Sequence, residues 1–195
     1  MLCFLKLFSY RSALNQSSYR FFIALLPPAE IQDYVNRIKR YFAEQYASRG
    51  AQKSPPHVTL QPPFNCLAQN VLTLEDCLSR FVNGREVVPV TLNGFGAFPP
   101  RVIYVNVLKT QELLALQADL AAALESKLGI VDPVSQTRTF SPHMTVAFRD
   151  LTRQNFKAAW PEFQQRQLYF EFTVAQLTLL IHDGKRWNVS SQFSF

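Results

Sequence analysis

Apolar and polar positions change period several times along the chain, and each change marks an element. Residues 20 to 26, RFFIALL, form a short apolar run with aromatics that two prolines close, which predicts a strand. Ile31, Tyr34, Val35, Ile38, Tyr41 and Phe42 then recur at helical spacing. Pro28 suits the start of that segment and Gly50 its end, so the pattern predicts a helix with one buried face. HVTLQ, beginning at His57, reads as a strand, and TLEDCLSRFVNG as a helix that Thr73 and Asp76 can cap. VVPVTLNGFGAF and VIYVNVL read as two strands divided by PPR. The order then recurs. QELLALQADLAAALESKLG is a helix ending at a glycine, HMTVAF a strand, and TRQNFKAAWPEF a shorter helix that Pro161 is expected to cut. YFEFTVAQLTLLIH and RWNVSSQFSF predict a closing hairpin around Asp183 and Gly184.

Two similar rounds of helices and antiparallel strands place the chain in the α+β class with an approximate internal duplication. With 195 residues, 48% apolar and 13% aromatic, there is enough chain to bury a sizeable core. No apolar run approaches the roughly 20 residues that span a bilayer, so no membrane partner is expected. The net charge of +6 is a weak polyanion signal that fits a phosphate-bearing ligand, and no block of like charges marks a nucleic-acid tail. Cys3, Cys66 and Cys77 are odd in number and lack Cys-x-x-Cys spacing, which argues against a disulfide framework or structural zinc and for a cytoplasmic setting. Residues 1–18 are basic, serine-containing and free of acid. They read as a poorly ordered extension in preference to a transit or secretory peptide, ahead of one bilobal domain over 19–195.

Within this pattern one motif occurs twice. SPPHVTL and SPHMTVA share Pro-His-x-Thr followed by an apolar residue. Alternate residues of a strand share a face, so His57 projects with Thr59 and His143 with Thr145, while Val58, Leu60, Met144 and Val146 point into the core. A single His-x-Thr is weak evidence, since a lone histidine on a strand is more often structural. Two copies are hard to attribute to chance. Two lobes packed about a pseudo-twofold axis bring the imidazoles face to face across a cleft. Splitting a phosphodiester requires one group to take a proton from the attacking oxygen and another to give one to the leaving oxygen. Two imidazoles divide those roles near neutral pH without a metal, and two hydroxyls can donate to the nonbridging oxygens.

These residues resemble the 2H phosphoesterases, also called the 2′-5′ RNA ligase or LigT-like family, which are defined by two His-x-Thr/Ser-x motifs about one lobe apart. RFFIALLPPAEI also looks like that family's opening strand and helix, so the resemblance spans about residues 19 to 195. It implies bilobal, duplicated antiparallel-sheet lobes with helices on the outer faces, no cofactor, and opening of 2′,3′-cyclic or related phosphodiesters of nucleotides or RNA ends to 2′-phosphates. By that resemblance His57 is the general acid toward the leaving 3′ oxygen and His143 the base that activates water.

Further candidates are assigned with less support. Arg149 lies six residues after His143, an even spacing that returns it to the same face if the strand runs on, where it can clamp a phosphate. It can equally form a surface pair with Asp150. Phe64 can stack on a base or serve the core. His182 reads as a solvated turn residue and Trp187 as core. His57 and Cys66 lack a third and fourth ligand at suitable spacing, so no metal site is expected. The alternatives to a monomeric cyclic phosphodiesterase are a non-catalytic module that holds nucleotide or RNA phosphate, and a reversible 2′-5′ RNA ligase using the same site.

Overall fold

The computed structural model describes residues 17–132 and 139–195. The expected extension therefore lies outside the described residues except at its end, where Ser18 already opens the first strand. The strands are β1 (Ser18–Leu25), β2 (Val58–Leu67), β3 (Val88–Phe98), β4 (Val102–Val107), β5 (His143–Ala147), β6 (Tyr169–Val174), β7 (Gln176–His182) and β8 (Trp187–Ser194). The helices are α1 (Ala29–Gln45), α2 (Val71–Val82), α3 (Gln111–Leu128) and α4 (Arg153–Gln165). Two four-stranded antiparallel sheets result, with orders β2-β1-β7-β8 and β5-β4-β3-β6.

In each sheet the histidine strand is an edge, and β2 and β5 approach one another without pairing. An edge position explains why β2 can continue through Pro62 and Pro63, whose missing N–H groups would break an inner strand. Alternation sends Phe21, Ile23 and Leu25 of β1 into one continuous core shared by both sheets and all four helices. Phe22 and Ala24 point the other way. They join Leu180, Leu26 and Trp187 in a small separate cluster on the opposite face of the first sheet. Helix α1 packs against β5, and α3 against β2 and β3, so each histidine strand is backed by the helix that belongs to the other half of the chain.

The structure departs from the sequence pattern in four places. Helix α1 ends at Gln45, and Gly50 opens a short 3-10 turn, Gly50–Lys53, where any Cβ would sit 3.1 Å from both Asp150 Oδ1 and the Phe148 carbonyl. Helix α2 begins at Val71, before Thr73, and has no side-chain cap; Asp76 pairs with Arg80 instead. Pro161 lies exposed inside α4 and does not cut it, because the following turn is held by fully buried Phe163, whose ring lies 4.5 Å from that of Phe42. The long apolar segment before the last hairpin divides at Ala175 into β6 of the second sheet and β7 of the first.

Candidate active site

His57 stands immediately before β2, and His143 is the first residue of β5. The two are held identically. His57 Nδ1 lies 2.7 Å from the Pro55 carbonyl and His143 Nδ1 2.7 Å from the Ser141 carbonyl. A carbonyl oxygen can only accept, so each Nδ1 carries a hydrogen and each Nε2 is the atom left to exchange protons. The proline shared by the two motifs contributes here, since its fixed φ shapes the turn that folds the carbonyl back to the ring.

Thr59 pairs with Ala24 and Thr145 with Tyr104, so each threonine shares a sheet face with its strand partner, away from the main core. Both hydroxyl residues are half-buried. Aromatic rings enclose each histidine. Phe22 lies 4.7 Å from His57 and 4.6 Å from Trp187, which also contacts His182 at 4.8 Å. Phe98 and Tyr104 each lie 5.1 Å from His143. Tyr104 occupies the space over Gly96, where a Cβ would come within 2.3 Å of its ring.

Burial pushes the pKa of both imidazoles down. For His57 the value falls to about 4, with loss of water the largest cause, the Pro55 bond opposing it, and the charges of Lys39 and His143 adding to it. His143 is lowered by burial against the opposing Ser141 bond. The two motif strands, β2 and β5, contact one another, and the charge of His143 adds to the lowering of His57.

Other expected site residues fall elsewhere. Phe64 faces the main core, its ring 6.3 Å from Phe21; an odd five residues separate it from Thr59, and two register shifts lie between them. The spacing argument for Arg149 fails: β5 ends at Ala147, and Arg149 has a left-handed backbone with φ 61°. Its guanidinium lies 5.1 Å from the centre of the Phe148 ring. Asp150 does not pair with it. The Asp150 carboxylate accepts from Ser48 Oγ at 2.9 Å and from the amides of Arg49 and Gly50 at 2.7 and 2.8 Å. That clasp joins the chain leading to His57 with the chain leaving His143. His182 ends β7 instead of standing free in a turn, and Trp187 packs on the Phe22 side of the first sheet, outside the main core.

Among the described residues no three His, Cys, Asp or Glu side chains gather as metal ligands, and no helix is long and apolar enough to cross a membrane. Sequence reasoning missed Lys39 and Tyr104, and it named Asp150 only as a partner for Arg149. Lys39 alone left a signal, a lysine inside the apolar arc of α1.

The family model for the 2′-5′ RNA ligase superfamily matches residues 27–186, a span that contains both histidine motifs. The chain belongs to the 2′-5′ RNA ligase superfamily. Among relatives, a predicted phosphoesterase of Geobacillus sp. (strain WCH70) is 29% identical over 174 residues, covering 88% of this chain and 93% of that one. One from Staphylococcus saprophyticus is 25% identical over 176 residues, covering 88% and 96%. The fold of this superfamily member is that of E. coli LigT. The crystal structure of LigT complexed with 3′-AMP superimposes with a TM-score of 0.66 at 19% identity, over 92% of this chain and 99% of LigT. The LigT structure complexed with phosphate gives 0.57 at 17% identity, over 92% and 99%.

Proposed function

We propose that the chain is a metal-independent phosphodiesterase that opens 2′,3′-cyclic or related cyclic phosphodiesters of nucleotides or RNA ends to 2′-phosphates. The matched Nδ1 bonds carry this reading, because they leave an Nε2 on each of two opposed edge strands for proton transfer. With roles taken from the family pattern, His143 Nε2 takes a proton from water as the water oxygen bonds to phosphorus. The bond from phosphorus to the 3′ oxygen breaks, and His57 Nε2–H gives that oxygen its proton. Exchange with solvent then returns both rings to their starting states. The Thr59 and Thr145 hydroxyls donate to the nonbridging oxygens, where negative charge builds in the transition state.

Burial leaves both imidazoles mostly neutral at pH 7 in the free protein. An anionic phosphodiester between them favours the charged form of a ring, so His57 takes up its catalytic proton from solvent as the substrate binds. The 3′-AMP and phosphate held by LigT are the kinds of group this site would accommodate.

The test is incubation of the purified protein with nucleoside 2′,3′-cyclic phosphates in EDTA, with products resolved by phosphorus NMR. Formation of 2′-phosphate is expected, with His57→Ala and His143→Ala each losing about 10² to 10⁴ of the rate. Binding without turnover would overturn the reading in favour of a phosphate-binding module. Activity abolished by EDTA and restored by a divalent ion would overturn metal independence. Joining of 2′,3′-cyclic and 5′-hydroxyl RNA ends would reveal the reverse direction.

A further inference from the structure

Helix α1 buries six residues, of which Ile31, Val35, Ile38, Phe42 and Ala43 are apolar. The sixth is Lys39, with 1% of its surface exposed. Loss of water pushes its pKa down from 10.5 to about 7. Its Nζ donates to the Ser54 carbonyl at 3.0 Å. The next carbonyl along the chain, Pro55, is the acceptor for His57 Nδ1–H. Lys39 thus pins the peptide unit directly ahead of the one that orients His57, and its charge opposes a proton on that ring.

The other half has no counterpart. His143 makes the same bond to Ser141, but α3, which precedes β5 as α1 precedes β2, buries Leu113, Leu116, Leu120 and Leu124 and no charged residue. The two half-sites match histidine for histidine and threonine for threonine, and Lys39 breaks the match.

We propose that Lys39 is a positioning residue for His57 and a group that adds to the inequality of the two histidines: it fixes the turn that aims His57, and its charge opposes a second charge there until an anionic phosphate enters the cleft. The groups facing His57 are Lys39 from α1 and His143 from β5. Around α1 itself stand His143 on β5, exposed Lys53 in the 3-10 turn, Glu162 on α4, bonded to Tyr41, and Asp150, engaged by Ser48 and the two amides. Each of these carboxylates is engaged by other groups, and burial lowers the pKa of the Lys39 ammonium. A bound phosphate would be the anion the buried cation otherwise lacks.

Built on the two-histidine reading, this role is tested without turnover, by NMR titration of the histidine rings in the free full-length protein. His57 is expected to titrate below His143. Lys39→Met removes both charge and donor, whereas Lys39→Gln removes the charge and keeps a donor for Ser54. In both, the His57 titration should rise by about one pH unit while His143 stays in place, narrowing the gap. Retention of more kcat by Lys39→Gln than by Lys39→Met would support the positioning half of the role; equal loss would overturn that half. A gap unchanged in both variants would overturn the charge effect. Rings titrating together in the wild-type protein would overturn the inequality even if neither variant folds. Should the cyclic-phosphate assay fail while the gap appears and narrows as described, the substrate reading falls and the role of Lys39 in setting His57 stands.

Discussion

Replacing Asp150 by alanine should destabilise the protein and misalign its two histidines together. The carboxylate accepts three hydrogen bonds from residues roughly a hundred positions earlier in the chain, at 2.7 to 2.9 Å. Bonds to a charged acceptor contribute about 1.5–3 kcal/mol each. The two backbone donors lie near solvent and can turn to water, whereas the Ser48 hydroxyl sits on a fully buried residue and loses its acceptor. The expected cost is therefore about 2–4 kcal/mol, below the simple sum. Asp150→Asn keeps one acceptor oxygen and turns an amide N–H₂ toward the other donors, so it should lose about half as much. Urea unfolding at pH 7 measures this as a lower midpoint with the slope unchanged. Because the clasp ties the segment before His57 to the segment after His143, kcat on a cyclic phosphate should fall about tenfold with little change in KM. Gly50→Ala places its Cβ 3.1 Å from the same carboxylate oxygen, so combined with Asp150→Ala it should cost less than the sum of the two changes. A urea midpoint for Asp150→Ala within error of wild type would refute the clasp.

The pH profile of kcat/KM should be a bell whose limbs both fall below 6.5, since both imidazoles are lowered in the free protein; a limb well above 7 would contradict this. Lys39→Met should raise the melting temperature most at or below pH 7. Folded Lys39 gives up its proton near 7 and unfolded lysine near 10.5, so the cost of burying the charge is complete below 7 and fades as pH rises to 10.5; a gain that grew with pH would have the wrong sign. Gly96→Ala forces the Tyr104 ring away from His143 and should lower turnover about tenfold with a smaller effect on KM, measured by steady-state kinetics. Thr59→Val and Thr145→Val should each lower kcat by about 10² while the bell keeps its shape, because only a donor to the phosphate oxygens is lost.

What the sequence could disclose was what depends on local period. The helical arc of α1, the Gly129 stop of α3, and the alternation around both His-x-Thr motifs are written in neighbouring residues and appear where expected. What depended on long-range contact was hidden. Gly50 resembles a helix stop, yet its smallness is required by Asp150 and Phe148, far along the chain. Pro161 resembles a breaker, yet Phe163 packing outweighs one lost backbone bond. Of the two places open to Phe64, its packing beside Phe21 could be read only from the folded sheet, and the position of Arg149 could not be extrapolated by alternation because β5 stops at Ala147. Tyr104 could be linked to Thr145 only after the pairing of β4 with β5 was known.

The strand order of the first sheet has a consequence for synthesis. The strand β1 needs β7 as its inner neighbour, and β7, residues 176–182, follows it by about 150 residues. On the ribosome, β1 and β2 therefore emerge long before the strand that completes their sheet, and His57 waits in an unfinished half-site while the second half is translated. Residues 143–147 and α3, which back and face that half-site, also arrive later. Closure must then wait for β7, governed by contacts of high sequence separation, with the β1 edge open to other chains in the interval. Nascent chains stalled before residue 176 should be protease-sensitive around Phe22, and chains extended beyond residue 194 and clear of the exit tunnel should not.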